Sequence, residues 1–312
     1  MPAFAFVFPG QGSQSVGMLD AWGDHPAVKR TLEEASAALG EDIAGLIREG
    51  PEEALELTTN TQPVMLTAAI ACYNAWRAEG GPVPAAVAGH SLGEYSALVA
   101  AGALTLTEAL PLVRLRAQAM QQAVPVGAGA MAAILGLDAA VVREVCEAVA
   151  AASGEVVAPA NFNDPKQTVI AGSKAGVDAA CEKLKAAGAK RALLLAVSAP
   201  FHSSLMKPAA QVLREYLRKV PLQAPQMAVI NNIDVAVQTE PDAIREALYR
   251  QAFGPVRWVE VTQALRTRGL RHIFECGPGK VLSGLVKRVD ADIVSTTVFD
   301  PASLQQAKEL LA

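Results

Sequence analysis

Ala86-Val87-Ala88-Gly89-His90-Ser91-Leu92-Gly93-Glu94-Tyr95 is the stretch on which the fold turns. Small and β-branched apolar residues run up to Gly89. An Ala/Leu-rich apolar segment, Leu92 to Ala101, follows and stops at Gly102. This pattern predicts a buried strand, a tight turn, and a helix with a glycine just past its end. The turn reads Gly-x-Ser-x-Gly, the pattern of a nucleophile elbow. A side chain at position 89 or 93 would collide with the neighbouring strand or helix in so sharp a turn. Ser91 is expected in a strained conformation with its hydroxyl exposed at a helix N-terminus, where the dipole favours negative charge. The bare motif also arises by chance; the strand before it and the helix after it strengthen the nucleophile reading.

Around this centre lie 312 residues, enough for one large domain or two. Apolar residues make up 51% and charged residues 19%, an ordinary globular composition. The net charge of −4 argues against a broad nucleic-acid-binding face. Cys72, Cys146, Cys181 and Cys276 are far apart with no C-x-x-C pair, as expected of reduced, buried thiols in a cytoplasmic protein. No Lys or Arg precedes the first apolar run, so no signal peptide is expected, and no run reaches the roughly 18 apolar residues of a membrane span.

The chain opens with a strand, Phe4–Phe8, and a loop, Pro9-Gly10-Gln11-Gly12-Ser13-Gln14. That loop reads as a plain turn, as part of a nucleotide site lacking its third glycine, or as a backbone amide at Gln11 forming half of an oxyanion hole. Helices are predicted from Pro26 to Gly40, from Pro51 to Leu57, and from Thr61 through Trp76. After the elbow, Leu110 to Gln122 reads as a helix whose apolar stripe contains Arg116 and Met120. A guanidinium is expensive to bury unpaired. Arg116 therefore snorkels, pairs with a structural carboxylate, or waits for a ligand's carboxylate, which its planar fork can hold bidentately.

Past Pro125-Val126-Gly127-Ala128-Gly129 the pattern becomes β-α-β-β-α-β: strands at 130–135, 156–161, 167–172 and 191–197, with helices at 138–151 and 174–187. This is a ferredoxin-like unit of about 70 residues, read as an insertion at 127–197 in a larger α/β core of 1–126 and 198–312. The core then resumes with strands at 227–230, 272–275 and 293–298, and helices at 241–253, 258–268, 281–289 and 301–311.

A serine nucleophile needs a base within hydrogen-bond reach. Of the four histidines, His25 sits in an early surface helix, His90 leaves the elbow in another direction, and His272 opens a strand. His202 lies in a loop after a strand, where catalytic residues of open α/β sheets collect. A hydrolase triad also wants a carboxylate between serine and histidine, and Asp164 is a candidate. A Ser–His dyad oriented by a neutral group or a backbone carbonyl fits equally.

Gly10-Gln11-Gly12-Ser13-Gln14, Gly89-His90-Ser91-Leu92-Gly93-Glu94, Arg116, Ala199-Pro200-Phe201-His202 and Glu275-Cys276-Gly277-Pro278-Gly279 occur in that order. With these motifs the chain resembles, from end to end, the acyltransferase family of the malonyl-CoA:acyl-carrier-protein transacylases, and more loosely the acyltransferase domains of polyketide synthases. The resemblance implies an α/β-hydrolase-like core with a mainly parallel sheet plus the inserted ferredoxin-like subdomain. It implies that Ser91 is acylated by malonyl-CoA and that His202 is the base. The backbone amides of Gln11 and Leu92 would form the oxyanion hole, and the Gln251 carbonyl would orient the histidine. Arg116 would grip the malonyl carboxylate, with Gln62, Met120, Asn161 and Phe201 as further substrate-binding residues. Phe201 either selects malonyl over methylmalonyl or merely fills the core. No metal or other cofactor is implied. The acceptor would be the phosphopantetheine thiol of an acidic acyl carrier protein, for which Lys185, Lys190, Arg191, Lys280, Lys287 and Arg288 are candidate contacts, and a monomer is expected. The competing readings are a serine hydrolase with a catalytic carboxylate and an acyl-CoA binder with a vestigial serine.

Overall fold

The computed structural model describes residues 2–312. Its strands are β1 (Phe4–Phe8), β2 (Ala86–Gly89), β3 (Gly129–Leu135), β4 (Val157–Asp164), β5 (Gln167–Ser173), β6 (Arg191–Leu194), β7 (Ala228–Ile230), β8 (His272–Cys276) and β9 (Thr297–Val298). They form a five-stranded sheet in the order β7-β2-β1-β8-β9 and a four-stranded sheet in the order β4-β5-β3-β6. Every pairing in the larger sheet is parallel and every pairing in the smaller one antiparallel.

β1 shows why the larger sheet is buried on both faces. Its side chains alternate with the period of 2 that a strand imposes. Phe4, Phe6 and Phe8 point into one layer, where Trp76 and Tyr73 of the helix Thr58–Ala78 meet them edge-on or tilted. Ala5 and Val7 point into the other, against Trp258, Val261 and Leu265 of the helix Trp258–Thr267. Each large aromatic removes roughly 150–250 Å² from water, so this packing fixes the register that sets Phe8 beside Gly89. The smaller sheet buries one face under the helices Ala139–Ser153 and Lys174–Ala186 through Ile134, Val142, Cys146, Val177 and Leu184. Its other face carries Met131, Ala160, Val169 and Ala171, with Phe201 packed against them.

Several boundaries differ from the pattern-based reading, each for a local reason. The long helix begins at Thr58, so Pro63 lies inside it. Proline cannot donate to the Thr59 carbonyl one turn back, and Arg114 Nη1 donates there instead at 2.6 Å. The helix carrying Arg116 begins at Leu106, because Thr105 and Glu108 form a reciprocal capping box, and Pro111 is internal. A helix at Ile43–Glu49, capped by Asp42, was not anticipated. β4 continues to Asp164, β6 stops at Leu194, and the last strand is only Thr297–Val298, with Val294 bridging His272. No helix among the described residues is long and apolar enough to cross a membrane.

Candidate active site

The elbow forms because its glycines admit no side chain. A Cβ at Gly89 would lie 1.9 Å from the Gly93 carbonyl, and one at Gly93 would lie 2.1 Å from the Phe8 oxygen. Both obstacles are backbone and cannot swing away. Ser91 sits between them at φ +52°, in the left-handed region that a non-glycine residue adopts only when its surroundings enforce it. Here Asn232 enforces it: its Oδ1 accepts from the Ser91 amide at 2.7 Å, and its Nδ2 donates to the Gly89 carbonyl at 2.7 Å.

Ser91 Oγ is 2.7 Å from His202 Nε2. The other ring nitrogen, Nδ1, is 3.0 Å from the Gln251 carbonyl and 3.1 Å from that of Gly254. Carbonyls only accept, so Nδ1 carries the proton and Nε2 is left to accept from the serine hydroxyl. The imidazole is thus oriented by two backbone carbonyls, and among the described residues no carboxylate bonds to it. Burial, then the nearby Arg116 charge, lowers its pKa to about 3, so the ring is neutral at physiological pH. Asp164, the candidate third member, is instead taken by Arg288 Nε at 2.7 Å. His90 turns away to Asn163 Oδ1 at 2.9 Å, His25 pairs with Glu79, and His272 stands in β8.

Arg116 is only 2% exposed. Its Nη1 donates to Gln62 Oε1 at 2.8 Å; its Nη2 donates to Gln251 Oε1 at 3.1 Å and to Ser91 Oγ at 3.2 Å. Its Nε has no partner, and among the described residues no carboxylate lies within ion-pair distance of the guanidinium. Desolvation lowers its pKa, but a guanidinium starts so high that it stays charged. Of the open possibilities, snorkelling and structural pairing are both absent.

A cleft of about 610 Å³ opens over this group between the two sheets, lined by Gln11, Ser91, Arg116, Asn161, Phe201 and His202 among others. Met131, Asn161 and the segment Leu195–Ser198 bring the smaller subdomain into its wall. Asn161 Oδ1 is buried without a partner, an acceptor left open for a ligand. The amides of Gln11 and Leu92 likewise make no hydrogen bond to a protein group among the described residues. Gln62 and Met120 do not reach the cleft. They are buried behind Arg116, where Gln62 bridges the guanidinium to Gln11 Oε1 at 3.3 Å and Met120 Sδ lies 4.0 Å from Gln62 Nε2. Of the six basic residues singled out for a carrier, Arg288 is engaged by Asp164 and Lys185 by Glu182.

Three participants escaped the sequence reading: Asn232, Gly254 and the buried Glu94. Glu94 Oε2 accepts from the Asn232 amide at 2.8 Å and from Gln251 Nε2 at 3.2 Å, and burial raises its pKa to about 7. The one available signal was position: Asn231-Asn232 follows the carboxyl end of β7, beside the elbow strand, where open α/β sheets gather functional groups.

A serine on an elbow, a neutral imidazole held by carbonyls, and free amides beside them define the class of α/β proteins built for acyl transfer through serine. Residues 5–292 match the acyl transferase domain family, and the chain belongs to it. Over 311 residues it is 51% identical to the malonyl CoA-acyl carrier protein transacylase of Escherichia coli K12, covering 99% of this chain and 100% of that one. The crystal structure of an acyl-carrier-protein S-malonyltransferase from Burkholderia pseudomallei 1710b superposes with a TM-score of 0.97 at 64% identity, covering 98% of this chain and 99% of that one. A malonyl-transacylase solved in complex with its type II polyketide acyl carrier protein matches at 0.96 and 48% identity, covering 99% of each chain.

Proposed function

We propose that this protein transfers a malonyl group from malonyl-CoA to the phosphopantetheine thiol of an acyl carrier protein, for fatty-acid or polyketide synthesis. The names of its relatives support the donor and the acceptor. One observation carries the substrate class: a buried, charged Arg116 with no acid of its own, 3.2 Å from the Ser91 hydroxyl. A diacid thioester bound with its carbonyl at Ser91 brings its free carboxylate to that guanidinium. A neutral ester or an acetyl group leaves the charge buried and unanswered.

In this reading Ser91 Oγ attacks the thioester carbonyl while His202 Nε2 takes its proton. The developing oxyanion is received by the Gln11 and Leu92 amides. Collapse of the tetrahedral intermediate breaks the C–S bond, and His202 returns the proton to the departing coenzyme A sulfur. The carrier thiol then repeats the sequence on the malonyl-serine, with the serine as leaving group. No step is routed through a metal or a redox cofactor. The Gln251 and Gly254 carbonyls do the orienting work that a carboxylate does in hydrolases, so the imidazolium is less stabilised and water is a poorer acceptor. With a coenzyme A ester as donor and four free, buried cysteines, the reading puts the reaction in the cytoplasm.

The test is intact mass after incubation with malonyl-CoA, followed by buffer or a holo carrier protein. An adduct on Ser91 that persists in buffer and is discharged by the carrier supports the transferase. Rapid loss in buffer indicates a hydrolase, and no adduct indicates a binder.

A further inference from the structure

We propose that the buried carboxylate of Glu94 is a positioning residue for the oxyanion hole, acting on the Leu92 amide through the side chain of Gln251. The inference rests on the reading of Leu92 as an oxyanion donor. The Leu92 N–H and the Ser91 C=O belong to the same planar trans peptide and point in opposite directions. Whatever grips the Ser91 carbonyl from behind therefore aims the Leu92 amide into the cleft. The Gln251 side chain supplies that grip, its Nε2 donating to the Ser91 oxygen at 2.9 Å. The Glu94 amide shares the same oxygen at 3.1 Å.

An amide donor on a rotatable side chain holds a direction only if it is itself held. Gln251 is held at both ends. Its Oε1 accepts from Arg116 Nη2, and its Nε2 also donates to Glu94 Oε2. The same Glu94 oxygen accepts the Asn232 backbone amide, and the Asn232 side chain clasps the two preceding peptides, one through the Ser91 N–H and the other through the Gly89 carbonyl. One carboxylate oxygen thus anchors the peptides on both sides of the nucleophile. Glu94 touches neither Ser91 Oγ nor His202, and it is 2% exposed, so it has no direct part in the chemistry. What Glu94 supplies is an acceptor, not a charge. A protonated carboxyl or a carboxamide at this position still presents an oxygen to both donors.

The experiment measures the rate constant of Ser91 malonylation by rapid quench across malonyl-CoA concentrations, in the full-length protein. Glu94→Met keeps the bulk and removes the acceptor. The saturating rate is expected to fall about 10–100-fold, with half-saturation within about threefold, because donor aim matters in the transition state more than in the ground state. Glu94→Gln is expected within about threefold of the parent on both measures. A Glu94→Met protein acylating at the parental rate overturns the proposal, as does a Glu94→Gln protein as slow as Glu94→Met. A rise in half-saturation with an unchanged saturating rate also overturns it. If Glu94→Met does not fold, Gln251→Met decides. It keeps the backbone carbonyl for His202 and is expected to lose at least tenfold in saturating rate; an unchanged rate overturns the proposal. Failure of the unsubstituted protein to form any adduct refutes the transferase reading instead.

Discussion

The guanidinium of Arg116 donates to the very hydroxyl, Ser91 Oγ, that His202 accepts from, so one oxygen meets the base at 2.7 Å and the cation at 3.2 Å. In the free protein Nη2 divides its donation between this hydroxyl and Gln251 Oε1 at 3.1 Å, and neither acceptor carries a negative charge. On the proposed function, a malonyl carboxylate displaces this contact and supplies the missing charge. Replacing Arg116 by Ala is therefore expected to lower kcat/KM for malonyl-CoA by about 10²–10³-fold, the cost of burying a carboxylate without its partner. Acylation by acetyl-CoA should be unchanged or faster, since no buried cation is then left unanswered. Competition between the two thioesters, read by intact mass, checks both; an equal loss on both substrates would assign Arg116 to support of Ser91 alone.

His202 gives a pH prediction with a definite sign. An exposed histidine base at pKa near 6.5 loses activity below that value. Here the pKa is lowered to about 3, so Nε2 stays unprotonated across the neutral range. The kcat/KM for acylation, which reports groups of the free protein, is expected to be flat from about pH 5 to pH 8. An acid limb centred between 6 and 7, absent when free serine esters are used as a control for substrate chemistry, would show the imidazole titrating normally. The same shift affects stability. Below pH 6.5 the unfolded chain binds a proton that the native chain refuses, so native stability falls as pH is lowered.

Much of this site was legible in the chain, and the limits are physical. Gly89, Ser91 and Gly93 announced the elbow because only glycine tolerates backbone at about 2 Å from a built Cβ, and sterics are local. His202 followed from the scarcity of histidines, and the β-α-β-β-α-β pattern gave the smaller sheet because its periods are local too. The capping box at Thr105 and Glu108 was equally readable, but Pro111 drew the helix start four residues late. Gln62 and Met120 were placed against substrate, whereas they stand behind Arg116, because a helical stripe fixes a face and not a depth. Asn232 and Glu94 were invisible for a stronger reason. Their partners are 138 to 157 positions away in the chain, and no local pattern encodes such a bond.

Glu94 makes a stability prediction separable from its role in the oxyanion hole. Its pKa is raised to about 7 by desolvation, against an unfolded value near 4.5. Between those values the native chain holds a proton that the unfolded chain has lost, so stability declines as pH rises from 4.5 to 7. Glu94→Gln cannot titrate. Its stability relative to the parent should therefore improve by about 1–3 kcal/mol between pH 4.5 and pH 8, levelling above 7. Urea midpoints at both pH values measure the difference; a constant offset would mean the carboxylate is ionised in the native state at both.

Phe201 can serve as a wall for substrate, as filler for the smaller subdomain, or as both, since its ring lines the cleft and packs against the face that carries Met131. The two functions separate on substitution. As a wall beside the base, the phenyl ring leaves little room for an α-methyl, and one methyl group in an apolar pocket is worth about 1–3 kcal/mol of discrimination. Phe201→Ala should then lower the preference for malonyl-CoA over methylmalonyl-CoA at least tenfold, chiefly by raising kcat/KM for the branched substrate. Filler alone predicts another outcome: both substrates slow together, and the melting temperature drops by several degrees as a half-buried ring is lost. Paired kcat/KM values and one thermal scan distinguish them, because a cavity cannot favour the bulkier acyl group unless it opens onto the place where that group binds.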